Sequence, residues 1–392
     1  MRVLIDYRPA LRERSGVGEY THRLVTSLLS CYPPSSANGA LELTIFSSSW
    51  KDRLRRTPEL DGAAAVDRRV PVSLLNFAWH RLEWPSAEAL TGRRFDVTHS
   101  LHPLLLPSRG AAQVIMIHDL DFLAHPERTR AEVRRDYPEL ARDHAARADR
   151  IIVPSPFTAR EVERQLGVAG ERIAICPPGR PDWTPRKGLP GNGYILFFGT
   201  LEPRKNVAGL LDAYERLIAD AGRHVRSGDA RRDGRMIPEL VLAGKATGEA
   251  RPWLERLTRA PLAGRVRHIG YVEPPDRQAL YAGAHVLVMP SFDEGFGMPV
   301  LEAMTLGVPV VASNRGALPD VLGDAGPLVD PDDPVALGGA ILRLLDDDAY
   351  AGACAAKGVL RASHFSWDRT ARLVYAAYVQ AVEARKPRAR PR

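Results

Sequence analysis

Short apolar runs alternate with amphipathic stretches along nearly the whole chain, and that alternation limits the fold more than any other feature. A short apolar run bounded by turn residues suits a strand buried on both faces. The longer stretches carry the helical period, so the succession reads as a parallel sheet wrapped by helices. The first series places strands at 3–6, 41–46, 96–100, 113–118, 150–154 and 172–176, with helices at 17–29 and 127–148. Between Pro177 and Gly193 proline and glycine become dense, which breaks both periodicities and marks a boundary. A second series follows, with strands at 194–199, 239–243, 266–269, 285–290, 309–312 and 327–329 and helices at 206–219 and 299–306. The Arg-rich stretch 223–235 reads as a loose surface loop.

A chain of 392 residues suits two domains of roughly 150–200 residues each. With 45% hydrophobic and 26% charged residues, each can bury a core without metals or disulfides. The formal charge is +7, and the last eight residues alone hold five basic side chains. Such a tail is ordinarily a solvated end; the alternative is contact with an anionic membrane. No basic patch interleaved with aromatics appears, which argues against a nucleic-acid partner. Cys31, Cys176 and Cys354 are far apart and odd in number, as in a reducing compartment, and no Cys/His spacing fits zinc. No signal-peptide core follows Met1, and no apolar run is long enough to span a bilayer. The expectation is a cytoplasmic protein, at most peripheral at the inner face of the plasma membrane.

Ligands of doubly wound sheets bind beyond the carboxyl ends of the strands, so chemistry is sought at strand-to-helix turns. The strongest signal is Ser291-Phe-Asp-Glu294-Gly-Phe-Gly-Met-Pro-Val-Leu-Glu302, running from a strand into a helix that starts near Pro299. Its glycines admit a ligand close to the backbone, and the free N–H groups of a helix start attract anions. Two glutamates eight apart would by themselves be solvated helix charges; this setting makes them functional candidates.

Glu294 and Glu302 in this setting resemble the E-x7-E signature of a large family of retaining glycosyltransferases (family 4, group 1). That family includes bacterial mannosyl- and glucosyltransferases and sucrose synthase. The likeness continues through Gly307-Val-Pro-Val-Val-Ala-Ser-Asn-Arg-Gly-Ala-Leu-Pro-Asp-Val. It covers nearly the whole chain, is most specific over 194–326 and weakest over 47–91. It implies an α/β, GT-B fold: two Rossmann-like doubly wound domains facing across a cleft. Residues 1–180 would be the acceptor domain and 190–367 the nucleotide-sugar donor domain, with a terminal helix at about 368–385 packing back on the first. It further implies that Glu294 contacts hydroxyls of the transferred sugar and Glu302 the ribose hydroxyls. Backbone groups of Phe296, Gly297 and Met298 would help hold sugar and phosphates, with Tyr271 and Val272 also in the donor set.

A second signal is Gly199-Thr-Leu-Glu-Pro-Arg204-Lys205-Asn206, again a strand running into a helix. Basic side chains at a helix start suit a diphosphate, although alone they would pass for surface charge. The family often has Arg after this Gly; here Thr200 stands there, so the charge falls to Arg204 and Lys205. This variant resembles the branch holding many mannosyltransferases of surface-polysaccharide assembly, which favours GDP-mannose as donor, with a UDP-sugar second. Third, Ser15-Gly16-Val-Gly18 forms the first turn of the N-terminal domain, where Gly16 and Gly18 leave room for donor phosphates or acceptor. Tight turns also use glycine routinely, and the spacing does not match a dehydrogenase fingerprint. Fourth, His118-Asp119 closes a strand; a lone His there is usually structural, but the resemblance puts His118 near the sugar's 6-position. His99 and His102 are weaker candidates for the acceptor side. The stretch Trp79–Trp84 and the basic residues Arg128, Arg130, Arg134 and Arg135 read as solvated faces or as contacts to an anionic lipid-linked acceptor.

Together these imply same-face transfer of a hexose from a nucleotide-sugar donor to a saccharide or lipid-linked saccharide acceptor. The leaving diphosphate would be stabilised by fixed cations, with no cofactor and no metal required, since no Asp-x-Asp cluster stands at a strand end. The competing readings are a nucleotide-sugar epimerase or phosphorylase on the same fold, and a non-catalytic nucleotide-sugar-binding protein.

Overall fold

The computed structural model describes residues 1–11, 16–33, 40–125, 137–227 and 237–385. The chain divides into two compact units, Met1–Gly179 with Phe365–Arg392, and Arg180–His364. The first is built on strands β1 (Arg2–Asp6), β2 (Glu42–Ser48), β3 (Ala64–Arg68), β4 (Val97–Ser100), β5 (Ala112–Met116), β6 (Arg150–Val153) and β7 (Ile173–Ile175). Their order across the sheet is β3-β2-β1-β4-β5-β6-β7, and the pairings are parallel. The second has β8 (Tyr194–Phe198), β9 (Leu240–Ala243), β10 (Val266–Gly270), β11 (Ala284–Met289), β12 (Val310–Ser313) and β13 (Leu328–Val329). These run β10-β9-β8-β11-β12-β13, again parallel. Each order winds out from its first strand and then reverses. The reversal lies between β1 and β4 in one sheet and between β8 and β11 in the other, where connections diverge and leave room for a ligand.

The local sequence explains the elements. In β8, Ile195, Leu196 and Phe197 are all inaccessible to water, a continuous apolar run because helices cover both faces. The helix Val17–Cys31 lays Leu24, Val25 and Leu28 on the first sheet. The helix Pro156–Leu166 is fixed at both ends: Ser155 accepts from the Thr158 amide, Pro156 opens the first turn, and Gly167 closes it in the left-handed conformation. The helix Trp367–Arg385 puts Ala371, Val374, Ala377, Tyr378 and Ala381 into the core of the first unit, its alanines allowing close approach to the strands.

Several elements differ from the sequence expectation. β3 reads Ala-Ala-Val-Asp-Arg, too weakly apolar to announce a strand, and gains its place by pairing at the sheet edge beside β2. The helix Val207–Ser227 runs into the stretch expected to be a loop from 223, because a helix already nucleated can be extended through residues that would not start one; residues 228–236 lie outside the described residues. Of the expected helix 127–148, the part Tyr137–Arg147 is described, and Arg128, Arg130, Arg134, Arg135 and the tail beyond Arg385 lie outside. A helix at Val72–Leu82 was not foreseen.

Candidate functional site

The loops leaving β8 and β11, at the reversal of the second sheet, bring one set of charged residues together. After β8 the chain makes a single tight turn, Pro203–Lys205, ended by Asn206 with φ +53°. Asparagine tolerates that left-handed conformation, and its side chain anchors the turn, donating to the Pro331 carbonyl at 2.7 Å and accepting from the Gly209 amide at 3.1 Å. The turn is further tied to the other loop, as the Phe292 amide donates to the Arg204 carbonyl at 2.8 Å.

Glu294 sits at the centre, 6% exposed. Its Oε1 accepts from Lys205 Nζ and from the wholly buried Ser291 Oγ, the latter at 2.8 Å. Arg204 places Nη1 3.3 Å from Glu294 Oε2 and donates from it to the Asp293 carbonyl at 2.9 Å, while Nη2 donates to Glu202 Oε1 at 2.9 Å. Burial by itself would raise the Glu294 pKa. The charges of Lys205 and Arg204, with the hydrogen bonds, outweigh it and hold the carboxyl below its usual range. The group is therefore a carboxylate, which only accepts hydrogen bonds. Among the described residues, the lone-pair positions on Oε1 are taken and one on Oε2 remains. Gly316, at φ +64°, closes over this loop: a Cβ there would lie 2.6 Å from the Glu294 amide nitrogen.

Glu302 is buried on the following helix, Met298–Thr305, whose first residue follows Gly297 with no side-chain cap. Tyr281 lies beside it. Burial first, then the Glu302 charge, push the Tyr281 hydroxyl well above its usual pKa, so it stays a neutral donor. The Tyr281 ring packs 5.3 Å from that of Phe198 at the end of β8. Phe296, in the loop before the helix Met298–Thr305, is buried at 7% exposed. Thr200 is exposed, and Tyr271 and Val272 are half-buried just after β10. Lys245 Nζ stands 5.5 Å from the Tyr271 ring centre. The glycine before it, Gly244 (φ +137°), would clash with the Gly199 carbonyl if it carried a Cβ, so the turns after β8 and β9 are locked together.

At the reversal of the first sheet the polar residues differ. Asp6, with no exposed surface, accepts from Arg8 Nε at 2.8 Å and Nη2 at 2.6 Å; Arg8 Nη1 donates to Asn76 Oδ1 at 2.8 Å, and its guanidinium lies 4.7 Å from the Trp79 ring centre. His102 Nε2 is 3.4 Å from Asp6 Oδ2. Asp6, Arg8, Asn76 and His102 line a cavity of about 330 Å³. Burial raises the Asp6 pKa, but the Arg8 charge, the Arg8 hydrogen bonds and His102 together outweigh it, and the carboxyl is held far below its usual range. His118, in the loop past β5, packs edge-on to Tyr20 with ring centres 5.3 Å apart. Its buried Nε2 has no hydrogen-bond partner among the described residues. Burial pushes its pKa down to about 4, against the opposing pull of Asp119. Gly16, with φ +52°, precedes the helix Val17–Cys31, Gly18 is buried in its first turn, and Ser15 lies outside the described residues. The acceptor-side expectation fails for His99: it has no exposed surface, and its Nδ1 is held 2.7 Å from the Tyr378 hydroxyl. Among the described residues no group of His, Cys, Asp or Glu is arranged to hold a metal ion, and no helix is long and apolar enough to cross a membrane.

Known proteins match both units. The sequence model of a family described as "Glycosyltransferase Family 4" matches residues 15–181, and that of "Glycosyl transferases group 1" matches 192–347. The chain is 30% identical to O-antigen chain mannosyltransferase B of Escherichia coli over 96% of its own length and 99% of that protein's. It belongs to the family 4, group 1 glycosyltransferases. Another relative is D-inositol 3-phosphate glycosyltransferase of Acidothermus cellulolyticus, 32% identical over 76% of this chain and 70% of that one. Among solved structures, sucrose-phosphate synthase from Thermosynechococcus elongatus superposes with TM-score 0.73 at 20% identity, covering 98% of this chain and 100% of that one. The fold of this glycosyltransferase is GT-B.

Reading motifs along the sequence assigned no role to three side chains on or beside the loops of the second unit. Ser291 is inconspicuous as a lone serine at a strand end, and Tyr281 lies on a different helix from the Glu302 it faces. Lys245 had a usable signal, Ala243-Gly244-Lys245, a glycine and a lysine directly after a strand.

Proposed function

We propose that this glycosyltransferase moves mannose from GDP-mannose to a saccharide or lipid-linked saccharide acceptor with retention of anomeric configuration. The observation that carries the reading is the Arg204–Lys205–Glu294 network at the reversal of the second sheet. Two cations flank one carboxylate that still has a lone pair to offer. Lys205 and Arg204 stabilise the departing diphosphate, a task that fixed charges in a site shielded from water perform well. Glu294 accepts from a sugar hydroxyl through Oε2, and Glu302 from the ribose. On the first unit His118 is neutral and its buried Nε2 has no partner among the described residues, which suits it to a sugar hydroxyl. The bond from the anomeric carbon to the diphosphate oxygen breaks, and the acceptor oxygen bonds to that carbon on the same face. The acceptor proton passes to the departing phosphate oxygen. Glu294 is not the nucleophile, because its charge is already shared by two cations and a serine.

Mannose as the sugar is supported by the mannosyltransferase relative, which matches over nearly the whole of both chains. A thermal-shift panel of GDP-, UDP- and ADP-sugars tests the donor. GDP-mannose is expected to stabilise most, by about 2.7 kcal/mol at a hundred times its Kd. Stabilisation by none of them removes the reading, and an inverted anomer in the product by NMR removes the retaining step.

A further inference from the structure

The loop that leaves β11 carries two buried hydroxyls beside its charges. Ser291 has no exposed surface, and its Oγ donates to Glu294 Oε1 at 2.8 Å. A carboxylate only accepts, so the direction of this bond is fixed. One strand over, Ser313 ends β12 and is equally buried. Its Oγ donates to the Ser291 carbonyl at 2.6 Å and accepts from the Arg315 amide at 3.3 Å. The backbone of the β11 loop is held by other contacts. The Phe292 amide donates to the Arg204 carbonyl at 2.8 Å, Arg204 Nη1 to the Asp293 carbonyl at 2.9 Å, and the Ala317 amide to the Glu294 carbonyl at 2.8 Å. Main-chain bonds from the loops on either side thus set where Glu294 stands, and what the Ser291 hydroxyl adds is at the carboxylate.

We propose, given Glu294 as the contact to the transferred sugar, that Ser291 is a positioning residue for it. By holding Oε1, Ser291 leaves Oε2 as the oxygen that receives a hydroxyl of the hexose. The two cations cannot make that choice. The Lys205 ammonium is a compact charge on a long, flexible stem and attracts either oxygen alike, and Arg204 stands 3.3 Å from Oε2 while its other bonds go to the Asp293 carbonyl and Glu202. Serine has a short side chain, and from its fixed backbone the hydroxyl meets one oxygen only. A fixed oxygen matters for transfer, because misplacing a contact to the reacting group by about 1 Å can cost of order 10²-fold in rate. Ser291 touches neither sugar nor phosphate in this scheme and acts through Glu294.

Ser291→Ala in the full chain tests this by two measurements. The first needs no donor: carbon-13 NMR follows the Glu294 carboxyl through a pH titration, its signal assigned by its loss in Glu294→Gln. Burial pushes that midpoint up, and the charges of Lys205 and Arg204 with the hydrogen bonds push it down. With the Ser291 bond removed it is expected to rise by about one pH unit. Ser313→Ala is the control; it loses a buried hydrogen bond of the same loop, none of it to the carboxylate, and should leave the midpoint in place. An unchanged midpoint in Ser291→Ala, or an equal rise in both variants, overturns the proposal whichever nucleotide-sugar is the donor. Failure of Ser291→Ala to fold overturns it too, since the hydroxyl would then hold the loop itself. The second measurement is transfer from GDP-mannose and, in parallel, from UDP-glucose. The variant is expected to lower kcat by ~10-fold while binding GDP or UDP as the wild type does. Unchanged kcat, or an equal loss of affinity for the free nucleoside diphosphate, overturns the proposal. A wild type that uses neither donor strikes the sugar role of Glu294 instead, and the titration still decides the link between Ser291 and Glu294.

Discussion

The two units share a strand order and reverse it at the same place, yet they put opposite chemistry there. In the second unit the reversal is occupied by full charges: Glu202, Arg204, Lys205 and Glu294, joined through buried or half-buried hydrogen bonds. In the first, apart from the Asp6–Arg8 pair, it is occupied by histidines that burial keeps neutral. His99 is pushed down to about 3, His118 to about 4 and His80 to about 3, in each case by burial first and neighbouring cations or histidines next. One fold thus carries a cluster of full charges at one reversal and neutral imidazoles at the other, which is why fold alone does not settle function.

The sharpest way to break this contrast is to remove charge from the second unit. Lys205→Ala is expected to lower transfer by about 10²–10³-fold, the cost of losing one fixed charge at a developing anion. Glu294→Ala should lose activity as well and destabilise by about 3–5 kcal/mol, because it strands Lys205 as a buried, uncompensated cation. Combining the two should restore part of the stability and none of the activity, which separates the electrostatic role from the structural one. A double variant no more stable than Glu294→Ala would show that the pair is not coupled.

Acid should separate the units next. His80, His99 and His118 of the first unit are neutral when folded and would take up protons near pH 6.5 when unfolded. Acid therefore favours unfolding: their contribution is full above about 6.5 and falls away as pH drops toward 4 and 3, by up to ~1.4 kcal/mol per pH unit for each such group. Glu294 has the usual carboxylate sign; its depressed folded pKa gives stability that is present above 4.5 and lost only below it. Limited proteolysis or calorimetry between pH 7 and 5 should show the first unit weakening before the second. Simultaneous loss, or loss of the second unit first, would break the comparison.

A smaller effect is expected from Tyr378→Phe, which leaves the buried His99 Nδ1 without its partner and should cost about 1–3 kcal/mol, confined to the first unit. Arg315→Ala sets the floor. Its partners Asp330 and Asp332 are exposed, and melting should change by no more than ~1 kcal/mol.

Much of this was legible in order along the chain. The strands β1, β8 and β11, the boundary after Cys176 and the Glu294–Glu302 loop all announce themselves because an apolar run, a proline or a glycine acts on its own neighbourhood. β3 did not, since its two alanines and single valine say little until β2 is beside them. Nor could the composition of 223–227 reveal that a helix passes through it.

The sequence by itself determined that there are two wound sheets and which loops carry glutamate, lysine and arginine, because period and turn chemistry are properties of adjacent residues. The tertiary structure decided what those charges do. Glu294 meets Lys205 across 89 positions and His99 meets Tyr378 across 279, and no local pattern encodes either contact. It also decided which apolar residues are core and which, like Leu74 and Phe77, are left facing water, since burial depends on what the rest of the chain brings to cover them.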